Sequence, residues 1–166
     1  MNPLWSYFWP VFAVGLVIGG IAGSVGFRRR GKGAISLGIG IAVTLAATIV
    51  WHGPLGAAQR LTTAIERDAR ATLDFYEMSR VTGHLHHGPL TRHVVLIGPA
   101  DTFQRTELVR TIDTLPGVAG AGWADEAGAL PMIVEAAAVT LAGFLFGLLL
   151  AYLVELRRRY NAQWTW

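Results

Sequence analysis

The 166-residue chain is 52% hydrophobic and only 15% charged, and it has no cysteine. Charge is scarcer than in an ordinary soluble domain, so membrane insertion is the first expectation, and disulfides, thiolate metal sites and cysteine nucleophiles are excluded. Half of its 14 basic residues lie in two short groups, Arg28, Arg29, Arg30 and Lys32, then Arg157, Arg158 and Arg159, and the remainder are spread through the middle, a distribution that argues against a nucleic-acid-binding face.

The first apolar run extends from Leu4 to Phe27 without a charge. Its most regular part, Val11 to Phe27, covers roughly 25 Å at 1.5 Å per residue, enough to span a bilayer. A cleavable signal would carry positive charge ahead of the apolar run. Here Trp5, Tyr7, Phe8 and Trp9 precede it and the arginines follow, which predicts a retained helix with an aromatic belt at its N-terminal interface. The second run, Ala34 to Trp51, ends at Trp51-His52-Gly53-Pro54, an interfacial aromatic followed by helix-stopping residues.

From Leu55 to Tyr76 apolar residues recur at helical spacing (Leu61, Ile65, Ala69, Leu73, Tyr76), predicting an amphipathic helix. Val81 to His87 and His93 to Ile97 read as strands joined by a turn at Gly88-Pro89. Asp101 stands as the N-cap of a helix from Thr102 to about Leu115, with Phe103, Leu108, Val109, Ile112 and Leu115 as its apolar stripe. A short third strand follows at about Val118 to Trp123. The order αββαβ predicts two helices burying their stripes on one face of a small sheet, a two-layer α+β domain.

The third apolar run is Pro131 to Leu156, with Asp125 and Glu126 just ahead of the positive end of its dipole. Glu135, about one turn into it, reads as an interfacial or dipole-stabilised carboxylate in preference to a proton relay. The fold class is therefore α+β: three transmembrane helices with a small αββαβ domain inserted between the second and third. Residues 1–54 hold two spans, 55–126 the domain, and 127–166 the third span and a basic tail. Short Lys/Arg-rich segments stay in the cytoplasm, so residues 28–32 and 157–159 share that side. The expected location is a bacterial inner membrane, with the N-terminus and 55–126 periplasmic and the C-terminus cytoplasmic.

The pattern Val95-Leu96-Ile97-Gly98 before the second domain helix and Leu115-Pro116-Gly117-Val118 after it resembles a BON domain over roughly 57–124. The first strand departs from that family, since histidines and a Gly-Pro turn replace a short valine-rich hairpin. The resemblance implies an envelope attachment or stabilising factor without catalytic residues, of a kind that in some members binds phospholipid.

Within the spans, Gly15, Gly19 and Gly23 repeat every four residues, as do Gly143, Gly147 and Ala151. Such small faces admit close neighbours, either the chain's own helices or another subunit. The arginine and lysine clusters are read as topology anchors in contact with anionic lipid headgroups. Residues 26–32 match the spacing of a phosphate-binding loop, but Gly33 stands where Ser or Thr is required and the flanks are membrane helices. His84 and His86, two apart on a strand, are weak candidates for zinc or copper, with no clear third ligand. His52 reads as an interfacial polar cap in preference to a pigment or haem ligand. Ser79 with a histidine and Asp101 lacks a nucleophile elbow.

No cofactor and no enzymatic activity are expected. The leading expectation is a structural or interaction protein of the inner membrane, embedded in the lipid bilayer, whose periplasmic domain binds a protein, lipid or cell-envelope partner. The alternative is an accessory subunit of a large energy-transducing membrane complex, photosynthetic or respiratory, docked through its glycine-patterned helices and Trp164-Thr165-Trp166.

Overall fold

The computed structural model describes residues 2–28, 33–123 and 129–162. Its elements are α1 (Pro3–Arg28), α2 (Gly33–His52), α3 (Ala57–Phe75), β1 (Thr82–His87), β2 (Leu90–Ile97), α4 (Thr102–Asp113), β3 (Gly120–Gly122) and α5 (Met132–Ala162). The chain divides into two compact units: Met1–Tyr7 with Gly56–Glu135, and Phe8–Leu55 with Ala136–Trp166. Basic-cluster residues Arg29, Arg30 and Lys32, the acidic pair Asp125 and Glu126, and Trp164-Thr165-Trp166 lie outside the described residues.

The first unit carries a mixed three-stranded sheet of order β1-β2-β3. β1 and β2 form an antiparallel hairpin, and β3 runs parallel to β2 from His93↔Gly120 to Val95↔Gly122. Leu85, Val94 and Leu96 on the sheet, Leu61, Ile65, Ala69 and Leu73 on α3, and Leu108 and Ile112 on α4 are all buried. Nine apolar side chains withdrawn from water are the main stabilising term of a unit this small, since each large aliphatic contributes about 1.5–3 kcal/mol on full burial. Asp101 caps α4 through a reciprocal box: its Oδ1 accepts from the Gln104 amide at 2.7 Å, and Gln104 Oε1 accepts from the Asp101 amide at 3.0 Å.

Several boundaries differ from the expectation. β2 begins at Leu90 and not at His93, because the two-residue Gly88-Pro89 turn lets Leu90 pair with His87. β3 is only Gly120–Gly122, so this strand joins by backbone pairing and almost no side-chain packing. Phe103 and Tyr76 do not belong to the buried stripes. Phe103 sits in the first turn of α4 and Tyr76 at the C-cap of α3, and both are exposed.

The second unit contains the helical part from Phe8 to Leu55 and from Ala136 onward, comprising most of α1, all of α2 and most of α5. All three helices are long and apolar enough to cross a membrane. α1 continues through Pro10, where the helix forgoes one backbone hydrogen bond. α5 runs past Leu156 to Ala162, carrying Arg157, Arg158 and Arg159 on helical backbone. Of the N-terminal aromatics, Trp5 and Trp9 are exposed but Tyr7 is buried, so the expected belt is not uniform.

Candidate functional site

Within the helical unit the two small-residue faces meet each other. A Cβ on Gly15 would fall on the Thr140 carbonyl oxygen, and one on Gly19 on the Phe144 carbonyl oxygen. Reciprocally, a Cβ on Gly143 would strike the Phe12 carbonyl and one on Gly147 the Leu16 carbonyl. Further along, a Cβ on Gly23 would come within 2.8 Å of the Ala151 Cβ. Positions on α5 rise with positions on α1, so the two helices run parallel, backbone against backbone. Only glycine permits that approach, because any side chain at the crossing would hold the axes apart.

α2 joins this pair through a narrow face of Gly40, Thr44 and Thr48, spaced four apart and all buried. A Cβ on Gly40 would lie 2.9 Å from the Ala22 Cβ and 2.9 Å from the Phe144 ring. Thr48 Oγ1 shares its one proton between the Thr44 carbonyl at 3.0 Å and Thr140 Oγ1 at 2.9 Å, and Thr140 Oγ1 donates to the Ala136 carbonyl at 2.6 Å. This relay satisfies both hydroxyls in an otherwise apolar setting, where an unpaired one would cost about 1–3 kcal/mol. Sequence reading passed over these threonines.

At the far end of the pair, Arg28 from α1 and Arg158 and Arg159 from α5 surround Glu155. The Arg159 Nε–Glu155 Oε1 contact is 3.1 Å, while Arg28 Nε and Arg158 Nη1 each stand 3.9 Å from Oε2. Arg159 also donates to the Phe27 carbonyl at 3.4 Å, tying the two helix ends together. Glu155 was missed because it lies one turn before the arginines and reads as part of the basic tail.

In the first unit, Glu135 is neither solvated nor isolated. Arg92 of β2 donates to it twice, Nε to Oε2 at 2.7 Å and Nη2 to Oε1 at 3.1 Å, and its Nη1 reaches the Gly117 carbonyl at 3.2 Å. Both side chains are 18% exposed. This bidentate pair holds the first turn of α5 to the middle strand, assisted by the Thr91↔Pro131 bridge. Nothing in the local spacing signals it, since the partners are 43 residues apart.

The histidines are arranged differently from the expected His84/His86 pair. A bulge between Leu85 and His87 adds a residue to β1. His84 Nδ1 and His87 Nε2 both lie 3.9 Å from Glu66 Oε1, while His86 Nδ1 contacts the Pro89 carbonyl at 3.0 Å. Glu66 Oε1 also accepts from the Leu85 amide at 3.1 Å, which occupies a donor on the free edge of β1. Among the described residues no group of three or more His, Cys, Asp or Glu is placed to hold a metal ion.

No family profile, curated relative or solved structure matches the chain. What it does must therefore be argued from the surfaces themselves. Trp123 Nε1 donates to the Arg105 carbonyl at 3.0 Å, and the Arg105 guanidinium lies 5.0 Å over its ring. Two buried polar atoms, Thr62 Oγ1 and His93 Nε2, have no hydrogen-bond partner among the described residues.

Proposed function

We propose that the protein is a non-enzymatic interaction protein of the bacterial inner membrane, anchored by three spanning helices and displaying a BON-like αββαβ domain in the periplasm. The carrying observation is an apolar end on the small unit. The C-terminus of α3, the start of β1, the end of β2 and the start of α4 all lie together, because Thr82 pairs with Ile97 and the backbone at Arg80 and Val81 packs against Gly98. That end exposes Phe75 (80%), Phe103 (74%), Ile97 (59%) and Tyr76 (50%). Gly56 at the start of α3, and Pro131 beside Thr91 at the start of β2, lie at the opposite end of this unit. Large apolar groups exposed together on a small water-facing unit mark a contact surface.

The exposed aromatics suit a partner with an apolar surface of its own. Docking through the glycine faces, as an accessory subunit would need, requires surfaces that α1 and α5 already fill for each other. The test is photo-crosslinking in native membranes from a benzophenone residue at Phe103. A discrete adduct that disappears with Phe75→Ser is expected. Adducts appearing only from positions on α2, with none from Phe103, would favour docking through the helices.

A further inference from the structure

An apolar groove of about 490 Å³ runs between α1 and α5 on the side left open by their glycine crossing, with Gly20 and Gly147 at its floor and Val17, Ile21, Leu150 and Val154 on its walls. Its helical register leads to a charged end. On α1 the stripe Val17, Ile21, Ser24 continues to Arg28, and on α5 Gly147, Leu150/Ala151, Val154 continues to Arg158. One arginine therefore closes each wall, and both side chains are well exposed, 57% for Arg28 and 64% for Arg158.

Glu155 lies between them and is only 15% exposed. Its closest partner is Arg159 at 3.1 Å, whereas Arg28 and Arg158 are held at 3.9 Å. Three guanidinium groups around one carboxylate leave two positive charges uncompensated, one turn beyond the groove lining on each helix. Helix packing alone does not call for this arrangement, because Arg159 suffices both to neutralise Glu155 and to tie α5 to the Phe27 carbonyl.

We infer that the α1–α5 groove is a binding site for one anionic phospholipid. An acyl chain lies along Gly20 and Gly147, and the phosphate is held between Arg28 and Arg158. This rests on the membrane-spanning reading of the helices and sharpens it from a general attraction to headgroups into a defined site. Arginine suits the role because its planar fork pairs with phosphate oxygens in a bidentate manner. Juxtamembrane arginines each strengthen anionic-lipid binding by several-fold.

The full chain, purified in mild detergent, is titrated with palmitoyl-oleoyl phosphatidylglycerol or the corresponding phosphatidylcholine and read by native mass spectrometry. We expect about 30-fold tighter binding of phosphatidylglycerol, from two arginines. Arg28→Gln with Arg158→Gln should bring the two lipids to parity while Arg159 keeps Glu155 paired. Gly20→Leu, whose Cβ has room because its nearest neighbour is the Gly147 carbonyl at 4.0 Å, should fill the groove and weaken both lipids without changing their ratio. Soluble glycerol phosphate should not bind, since it lacks the chain.

Equal affinity for the two lipids in the unaltered protein overturns the site, as does a preference that survives the double arginine substitution. Disulfide formation between copies through Val17→Cys would show the groove covered by a second chain and overturn it equally. Extraction of the unaltered chain from native membranes by alkaline carbonate would sink the spanning reading along with the site. Retention with lipid parity would sink the site alone.

Discussion

The two units hold themselves together by opposite means. In the sheet-bearing unit the contact is made by large side chains, Ile65 and Leu73 from α3 against Leu85, Val94 and Leu96 from the sheet. In the helical unit it is made largely by small residues, with Gly15, Gly19, Gly143 and Gly147 letting backbones touch, Gly40 packed on the buried Phe144 ring and Thr48 bonded to Thr140. Burial of bulk is effective where the alternative is water. In the proposed bilayer, where lipid is as apolar as isoleucine, bulk gains nothing and close approach with hydrogen bonding takes over. On the exposed surface, Ile35, Ile39, Ile49 and Leu145 face outward from helices, and on the sheet-bearing unit Phe75, Tyr76, Ile97 and Phe103 are exposed.

This contrast is most easily broken by removing bulk. Ile65→Ala should cost about 4 kcal/mol, because Ile65 is fully buried and its loss leaves a cavity as well as forfeiting transfer energy. Ile39→Ala on α2, at a side chain that faces outward, should be nearly silent in membranes. Chemical denaturation of the protein in nanodiscs, followed by amide hydrogen exchange in each unit, compares the two. Equal losses would mean that the helices are packed for water. Adding bulk should show the reverse pattern. Gly19→Ala places a methyl on the Phe144 carbonyl and should destabilise by about 2 kcal/mol despite alanine's better helix propensity. The same change at Gly38, with nothing within 4 Å, should be neutral or mildly stabilising. Detergent-driven separation of α1 from α5, read by energy transfer between labels on them, measures both.

Much of this division is legible in the sequence, and what is not has identifiable causes. The small residues at 15, 19, 23 and at 143, 147, 151 stand out because close approach of helices demands a spacing of four. The order α-β-β-α-β follows from a change of apolar period between Leu73 and Val94, and the α4 start from Asp101 with Gln104 three residues on. The threonine contact is hidden because each hydroxyl also bonds the carbonyl four residues earlier, as any helical threonine does, so Thr44, Thr48 and Thr140 look locally satisfied. Arg92 and Glu135 are invisible as a pair because only the tertiary fold brings them together. The two-residue period used to pair His84 with His86 assumes a regular strand, and one bulged residue transfers that pairing to His87. Phe103 fits a helical stripe by count, yet it lies in the first turn of α4 and stays exposed.

The Arg92–Glu135 pair tests how firmly the first turn of α5 belongs to the sheet-bearing unit. Glu135→Ala strands a largely enclosed guanidinium and should cost about 2 kcal/mol, seen as faster hydrogen exchange at the Ala119 amide, which bonds the Arg92 carbonyl at 2.8 Å. Exchange there that stays unchanged would assign the turn to the helical unit alone. Thr48→Val keeps the shape of the helix contact but removes the donor to Thr140, and about 0.6 kcal/mol should be lost in detergent-driven unfolding. A loss several times larger would make the threonine bond, and not the close packing at Gly40, the principal tie of α2.

The smallest effect expected belongs to charge on the sheet-bearing unit. Arg70 hydrogen-bonds Asp74 one turn along α3 and, at 2.9 Å, the Val81 carbonyl, so it links the end of the helix to the start of the hairpin. The hydrogen bond from Arg70 holds the Asp74 carboxyl below its ordinary range. A carboxylate whose folded-state value is depressed contributes stability above its unfolded value, near pH 4, and loses that contribution as pH falls through the lower folded value. The pair is solvent-exposed, so the change in stability should be slight. The titration midpoint of the Asp74 carboxyl carbon, followed by NMR, should lie below that of an ordinary aspartate and return to it in Arg70→Gln. A midpoint unmoved by that substitution would mean that the depression has another source. Because Arg70 also holds Val81, the variant should loosen the backbone beside Gly98 at the same time, with faster exchange at the Val81 amide. That second readout separates the helix-to-hairpin link from the charge pair, and it bears on whether the apolar end of the unit is held in a fixed shape.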